Sequence, residues 1–304
     1  MQQLSNLLLT LWRGALEKPE HEYKDWALSE VSTVIPFDSC AWGKGRWINE
    51  LPVVHSIHLH KLSGDFSKSW SSIQHEYKLT REVTTHPNRT FNVDMAREYA
   101  NTYTYDTHCK KYHIEHVLGT GSKDAETSLL TMMVFHRSDI NQPFTEQERN
   151  LKEILFQHLL DAARMNWLIN LPKCFSASSH ISDNTLAAFD NTGLLHVATP
   201  AFLKIFQKEW PTWSGPFLPA GVLETENGKS YIGDSIVIDF LAMDELTILR
   251  ARARVAADSL SARELEIAQQ ISDGLDCKIN RTKSRHFPLN CQKPYEQDLP
   301  EIVY

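Results

Sequence analysis

A helix with clear signals at both ends, followed by a segment that cannot continue it, most constrains the fold of this sequence. Ser261 and Glu264 have the spacing of a capping box, and Leu260 and Leu265 have that of a hydrophobic staple. Gly274 stands where a left-handed C-cap would end the helix. Apolar residues recur at three- and four-residue steps and form one stripe: Leu265, Ala268, Ile271 and Leu275. A single stripe must be buried, so the pattern predicts a helical bundle built from chain that follows.

The segment after this helix does not provide such a bundle. Pro288, Pro294 and Pro300 divide it, and no helix longer than about five residues fits between them. An irregular tail over 279–304 accounts for the segment as it is written.

The order Leu-Ser-x-Arg-Glu, then Ile-Ala, then Asp-Gly-Leu-x-x-Lys resembles the start of the LuxR-type helix-turn-helix domain. The residues that carry the resemblance are Leu260, Ser261, Arg263, Glu264, Ile267, Ala268, Gly274 and Lys278. The resemblance implies that 257–278 holds the first helix of a four-helix DNA-binding domain. In that family a later recognition helix enters the major groove, and here its segment is missing.

A change of reading frame would restore the missing helices. When the codons from Lys278 onward are read from their second base, the genetic code permits the string KSIAQSLGISPSTVKNHMSRIYQKL. This string is close to the family's second to fourth helices, and its STVKNH begins at Leu289, the spacing that the family shows. We predict a one-base frame change near Cys277 to Ile279, in the gene or in its reported reading.

Composition sets the class of protein. The 304 residues have room for two domains, or three if one is small, and 42% apolar with 23% charged residues is typical of a globular protein. A net charge of −7 excludes a molecule that binds polyanions over its whole surface. Five scattered cysteines predict reduced thiols, and no segment approaches the roughly 20 apolar residues of a membrane span. We therefore expect a cytoplasmic protein without membrane contact.

The first 171 residues predict an α+β domain. Residues 1–35 have the spacing of two amphipathic helices, and 39–49 and 52–60 read as strands, the second with alternating faces. A helical middle follows, then a strand over 128–135. Thr145 and Glu148 form a capping box that opens a long helix to about Leu171.

The sequence Pro-Phe-Thr-x-x-Glu-Arg before His158-Leu-Leu resembles the last helix of GAF-type domains attached to LuxR-type regulators. The resemblance implies a GAF-like sensor domain over 1–171 and a homodimer joined through this helix. Helical spacing of this kind is also typical of simple core packing.

Beyond a serine-rich linker over 172–184, a small second module is predicted over 185–256. Residues 186–198 read as strand, Asp-Asn-Thr-Gly turn and strand, and Pro200 begins a short helix to Glu209. Strands near 231–240 and 246–255 complete a sheet. The pattern resembles the start of a PAS domain, although about 70 residues is short for that family. The predicted fold class is therefore α+β, a GAF-like domain and a PAS-like module, followed by an incomplete all-α helix-turn-helix domain.

The sequence contains no nucleophile motif, phosphate loop or metalloprotease motif, so we expect no enzyme, no catalytic residue and no cofactor. His108, Cys109, His113 and His116 lie close together, and a transition-metal site is one interpretation. The spacing lacks the fourth ligand of known zinc motifs, which favours surface or capping histidines and no bound metal.

Trp42, Trp47 and His55 lie on predicted sheet faces, where a sensor domain would hold a small ligand. An ordinary aromatic core explains the same residues. The residue pattern does not identify the effector.

Two functions fit these observations. The first is a one-component transcriptional regulator of LuxR type, with an unknown small-molecule effector and DNA as partners, which lacks its recognition helix as written. The second is a ligand-binding or dimerisation module without DNA-binding activity. The target operator and the choice between activator and repressor stay open.

Overall fold

The computed structural model describes residues 2–48, 51–124, 129–170, 185–225, 230–243 and 246–272. The chain divides into two compact units, Met1–Ala253 and Arg254–Tyr304. The first unit holds two five-stranded antiparallel sheets with packed helices, so the predicted α+β class is confirmed. Within the described ranges, every helix is too short or too polar to cross a membrane.

The first lobe, residues 2–170, contains one sheet between two layers of helix. Its helices are α1 (Gln2–Glu17), α2 (Glu20–Ser32), α3 (Phe66–Ile73), α4 (Lys78–Thr85), α5 (Met95–Glu98), α6 (Lys110–Tyr112) and α7 (Glu146–Asn170), with a π-helical turn at Tyr105–Cys109. Its strands are β1 (Ser39–Ile48), β2 (Leu51–His60), β3 (Thr90–Asp94), β4 (His116–Lys123) and β5 (Leu130–Arg137), in the order β2-β1-β5-β4-β3.

Alternating side chains of this sheet build two separate cores. Trp42, Leu118 and Phe135 point toward α1, α2 and α7, whereas Ala41 and Val134 point toward α3 and α4. The period of two along each strand places neighbouring residues on opposite faces. The sheet is therefore covered by helices on both sides.

The predicted helices at the start of the chain and the long exit helix are confirmed. The capping box of α7 forms as the sequence predicts, since Glu148 Oε2 accepts from Thr145 N at 2.7 Å and Glu148 N donates to Thr145 Oγ1 at 3.2 Å. These bonds satisfy two backbone donors at the helix start.

The predicted helical middle is wrong in part, because β3 and β4 lie within it. Gly119 and Gly121 weaken the strand signal of β4, since glycine has low strand propensity. The structure explains why glycine stands at both positions. A Cβ atom at Gly119 would lie 2.6 Å from Leu79 Cδ2, and one at Gly121 would lie 2.9 Å from Val83 Cβ. The two glycines let α4 approach the strand closely.

The strict alternation predicted along β2 is also interrupted. The pairing of β1 with β2 shifts between Lys44 and Gly45, so that Lys44 faces Ser56 and Gly45 faces Val54. His55 has no partner on β1. A bulge of this kind redirects the extra side chain and is invisible to a count of every second residue.

The second lobe, residues 185–253, has the same strand order as the first. Its elements are β6 (Leu186–Asp190), β7 (Leu195–Ala198), α8 (Pro200–Glu209), α9 (Ala220–Leu223), β8 (Tyr231–Ile232), β9 (Ile236–Met243) and β10 (Leu246–Ala253). The sheet order β7-β6-β10-β9-β8 repeats the order of the first sheet, counted from its own first strand. The predicted strands, turn and helix of this region are confirmed.

The turn between β6 and β7 follows from its residues. Asp190 Oδ1 accepts from Thr192 N at 2.9 Å and from Leu194 N at 3.1 Å, and Gly193 takes the left-handed conformation with φ of 78°. Asparagine, aspartate and glycine favour such turns because they form local bonds or tolerate positive φ. Thr199 then caps α8 by accepting from Phe202 N.

In the second unit, a short 3₁₀ turn at Ala256–Ser259 precedes α10 (Ala262–Ser272). The capping box is again confirmed, since Glu264 Oε2 accepts from Ser261 N at 2.8 Å and from Ser261 Oγ at 2.7 Å. Leu265 is 48% exposed and Leu260 is 39% exposed. The described part of the predicted apolar stripe is therefore open to solvent.

Candidate ligand-binding site

A cavity of about 70 Å³ lies inside the first lobe, between the sheet and the helices α3 and α4. Most of its wall is apolar: Ala41, Gly43, Ile57, Phe66, Trp70, Met132 and Val134. Val54 also lines it and is 39% exposed, so this end of the cavity reaches the surface. Apolar walls with a few polar groups are typical of small-molecule sites.

Two buried histidines supply polar groups to this cavity. His108 Nδ1 is hydrogen-bonded to Ser69 Oγ at 2.9 Å, and His136 Nδ1 to Ser39 Oγ at 3.0 Å. Burial lowers the pKa of His108 to about 4, and burial together with the charge of His108 lowers the pKa of His136 to about 3. Both rings are neutral at neutral pH, so each offers a ligand one donor or one acceptor.

The hydroxyl of Thr80 is a third polar group of the cavity. Thr80 lies on α4, is 2% exposed and lines the cavity, and its Oγ1 has no hydrogen-bond partner within the described residues. An unpaired buried hydroxyl costs about 1–3 kcal/mol. A ligand hydroxyl or carbonyl that pairs with Thr80 would recover that cost.

A larger cleft of about 590 Å³ separates the two lobes, on the other face of the first sheet. Hydrogen bonds join the two lobes: Lys44 Nζ donates to the carbonyl oxygen of His196 at 2.9 Å, and Arg164 Nη2 donates to that of Ala198 at 2.5 Å. Trp167 and Leu168 of α7 pack on the second sheet. The helix α7 therefore contacts both lobes.

The three residues predicted to line a ligand pocket lie at three different places. Trp42 is buried in the core beside α2 and lines the interlobe cleft. Trp47 Nε1 donates to Thr84 Oγ1 on α4 at 2.9 Å. His55 lies at the bulge, with its ring 5.9 Å from the Phe217 ring of the second lobe. None of the three lines the core cavity.

The residues that do offer polar groups to the core cavity were missed by sequence reasoning. In the sequence, His108 stands out only as one member of a histidine cluster. His136 comes directly after the predicted strand 128–135, and no sequence signal marks Thr80. They come together only through the packing of α3, α4 and the π-helical turn on the sheet.

The four residues considered as metal ligands lie in different surroundings. His116 Nε2 is hydrogen-bonded to the carbonyl oxygen of Ile140 at 3.0 Å, His113 is exposed with a φ of 54°, and burial raises the pKa of the Cys109 thiol to about 12. Across the described ranges, no three His, Cys, Asp or Glu side chains are arranged to hold a metal ion.

The segment predicted to be the first helix of a DNA-binding domain is described only to Ser272. Arg263 Nη1 forms an ion pair with Glu266 Oε2 at 2.5 Å, Ile267 is half-buried and Ala268 is exposed. Gly274 and Lys278 lie outside the described residues, as do the predicted linker and tail.

No family model matches the chain, and no curated protein sequence matches it. Among solved structures, the chain is similar to the N-acylhomoserine-lactone-dependent LuxR-family transcription factor CepR2 from Burkholderia cenocepacia (13% identity, TM-score 0.42, 53% of this chain and 93% of that one). It is also similar to the VqsR LBD domain from Pseudomonas aeruginosa (14% identity, TM-score 0.37, 55% and 96%). A third similar structure is the GAF domain of a phosphoenolpyruvate-protein phosphotransferase from Coxiella burnetii (12% identity, TM-score 0.38, 57% and 98%).

Proposed function

We propose that this chain is the sensor part of a one-component transcriptional regulator of LuxR type. A small effector binds in the core cavity of the first lobe, α7 and the second lobe respond to it, and α10 begins the domain that reads DNA. The chain acts by binding and not by catalysis. The cavity carries this proposal, since it is the place where an apolar wall, two neutral imidazoles and an unpaired hydroxyl meet.

The chemistry of the cavity indicates an uncharged amphiphile as effector. The walls suit an alkyl or aryl group, and Thr80, His108 and His136 suit a hydroxyl or carbonyl. Lys44 and Arg46 also line the cavity, but their charged groups lie at the second lobe, on the carbonyl oxygen of His196 and over the ring of Phe217. Both imidazoles are neutral, so a charged ligand group would have no close counter-ion in the cavity. With pKa values of about 4 and 3, these histidines are also weak general bases, which favours binding over catalysis.

A series of monoacylglycerols with butanoyl, hexanoyl and octanoyl chains tests the effector site. We expect at least one member to raise the midpoint of thermal unfolding of the full chain in a saturable manner, since a ligand that binds the folded state stabilises it. Met132→Trp should abolish the shift by filling the cavity. If no chain length shifts the midpoint, or if Met132→Trp leaves the shift intact, the core cavity is not the effector site.

We further propose that the protein with its original reading frame binds DNA, and that the frame has changed near Cys277 to Ile279. The capping box of α10 and the exposure of Leu260 and Leu265 support this proposal, because an amphipathic helix with an open apolar side needs partner helices. Resequencing the gene around codon 278 tests it. Nucleotides whose shifted frame meets a stop codon, or does not encode Thr-Val-Lys-Asn-His, would exclude the frame change.

A homodimer is part of this proposal. Large apolar side chains are exposed on α1 and α7: Leu9, Leu16, Ile154 and Met165. We assign these side chains to the subunit contact. Light scattering on the full chain should give twice the mass of one chain, and Ile154→Glu should shift the population toward monomer. A monomeric parent protein at micromolar concentration would contradict the proposal.

The second candidate function is a ligand-binding or dimerisation module without DNA-binding activity. The sequence without a frame change favours this second function, because three prolines interrupt the segment after Lys278. The two functions share the sensor site and differ only in whether a recognition helix is made.

A further inference from the structure

We propose that the cleft between the two lobes is a second ligand site, which binds a small organic anion with an apolar body. The cleft adjoins the core cavity, since Lys44 and Ile57 line both, but the proposal does not depend on the effector proposal. Its head-group partners are Lys24 of α2, Lys44 of β1 and Arg164 of α7.

The distribution of charge in the cleft favours an anion. The half-buried charged side chains that line it are all cationic: Lys24, Lys44 and Arg164. The carboxylates that line it, Glu20, Asp124 and Asp161, belong to exposed residues. Charges withdrawn from water interact more strongly than charges at the rim, so the cations dominate the interior.

Lys44 is close enough to Lys24 and to Arg164 for their charges to disfavour its protonated form. Burial and then the charges of Lys24 and Arg164 lower the pKa of Lys44 to about 8, and burial lowers the pKa of Lys24. Like charges disfavour the protonated form, and an anion placed among them would reverse this effect. Asp124 and Glu20 act in the opposite direction on Lys44, and Glu20 does so on Lys24, but the pKa of each lysine is still lowered. An anionic head group among the cations would favour their protonated forms further.

The cations also keep donors available for a ligand. Lys24 donates no hydrogen bond to the described part of the chain, and its ammonium group lies 5.8 Å from the centre of the Trp42 ring. Lys44 and Arg164 each have one hydrogen bond to the second lobe, to His196 and to Ala198. An ammonium group has three donors and a guanidinium group five, so several donors stay free.

The rest of the cleft suits the body of such a ligand. Its volume of about 590 Å³ is within the usual range for small-molecule sites. Trp42, Trp167, Leu160, Leu195 and Val197 supply apolar and aromatic wall from both lobes. A ligand that contacts both walls would hold the lobes together, so its binding would stabilise their arrangement.

Calorimetric titration of the full chain with 2-naphthoate and with its uncharged analogue 2-naphthamide tests the proposal. We expect naphthoate to bind at least about tenfold more tightly than naphthamide, because only the anion pairs with the cations. Lys24→Met should weaken naphthoate binding by about tenfold and leave naphthamide unchanged. Arg164→Met is the second variant if Lys24→Met does not fold.

Two controls separate this site from other effects. Lys68→Met removes an exposed lysine outside the cleft and should leave naphthoate binding unchanged. Thr80→Val alters the core cavity and should also leave it unchanged, which distinguishes failure here from failure of the effector site. Equal binding of the two probes, no binding of naphthoate, or an intact affinity in Lys24→Met would each overturn the proposal.

Proton uptake gives an independent readout. At about pH 8, close to the pKa of Lys44, bound naphthoate should raise that pKa and take up as much as about half a proton, seen by titration in buffers of different ionisation enthalpy. The other titratable or charged groups of the cleft are Glu20, Tyr23, Lys24, His58, Lys123, Asp124, Asp161, Arg164 and His196. Lys44→Met should remove the uptake, and uptake that persists in this variant would contradict the assignment.

Discussion

Lys152 Nζ lies 2.7 Å from the carbonyl oxygen of Leu118, in the fully buried centre of the first lobe. It also donates to the carbonyl oxygen of Met133 at 2.8 Å and to Thr120 Oγ1 at 3.0 Å. The three donors of an ammonium group thus each have an acceptor. Because Lys152 belongs to α7 and its acceptors to β4 and β5, it fixes the long helix to the sheet whose other face lines the core cavity.

The first prediction concerns the pH dependence that Lys152 imposes. Burial lowers its pKa to about 7 from 10.5. Between these values the unfolded chain binds a proton that the folded chain does not, so the free energy of unfolding rises with pH, by at most about 1.4 kcal/mol per pH unit. Lys152→Met should flatten this rise, measured by urea unfolding from about pH 7 to about pH 9. The control Lys68→Met, at an exposed position, should keep the dependence of the free energy of unfolding on pH that the parent protein shows. If Lys152→Met shows that same dependence, Lys152 titrates normally and the prediction is wrong.

The second prediction concerns acid. His136 has a pKa of about 3 in the folded chain, against 6.5 for an exposed histidine. Between about pH 6.5 and about pH 3 the unfolded chain binds the extra proton, so stability falls as the pH falls through this window. His136→Asn should lose less stability than the parent protein over the same range, measured by urea unfolding. His21→Asn, at an exposed position, should follow the parent curve, and acid loss that is equal in His136→Asn and the parent would refute the assignment.

The helices and strands with strong local signals could be predicted from the sequence, and the site could not. The capping boxes at Thr145 and Ser261 and the turn at Asp190 depend on residues within four positions, so they can be recognised directly. The strand β4 was not predicted because Gly119 and Gly121 weaken its strand pattern. These glycines are needed for the close contact with α4, which lies about 40 residues away in sequence. The cavity is harder still, since Thr80, His108 and His136 meet only after three separate segments pack on the sheet.

The third prediction follows from the close approach of α4 to β4. Gly119→Ala should destabilise the protein by about 1–3 kcal/mol, because the added methyl group overlaps Leu79. Gly64→Ala is the matched control, since a Cβ atom there meets nothing within 4 Å, and it should change stability by less than about 0.5 kcal/mol. Leu79→Ala combined with Gly119→Ala should cost less than the sum of the single changes. Strict additivity would mean that the two residues do not touch.

The fourth prediction concerns the unpaired hydroxyl of Thr80. Thr80→Val keeps the shape of the side chain and removes a buried group without a partner, so the unliganded protein should gain about 1 kcal/mol of stability. The same change should weaken the binding of any monoacylglycerol that stabilises the parent protein. Chemical denaturation with and without the probe measures both effects. A destabilised variant would show that the hydroxyl is already paired in the protein.

The most direct test of the proposal that a sensor is joined to a DNA-binding domain compares DNA binding by two proteins. One is the chain of the given sequence, here the unshifted chain, and the other has the reading frame restored after Cys277. Both are titrated against fragments of the source genome at two salt concentrations, with fluorescence anisotropy as the readout. The account predicts that the restored chain binds particular fragments tightly and more weakly at higher salt, because phosphate contacts release counterions. The unshifted chain should bind none of these fragments specifically. Equal specific binding by both chains, or no specific binding by the restored chain to any fragment, would contradict the account.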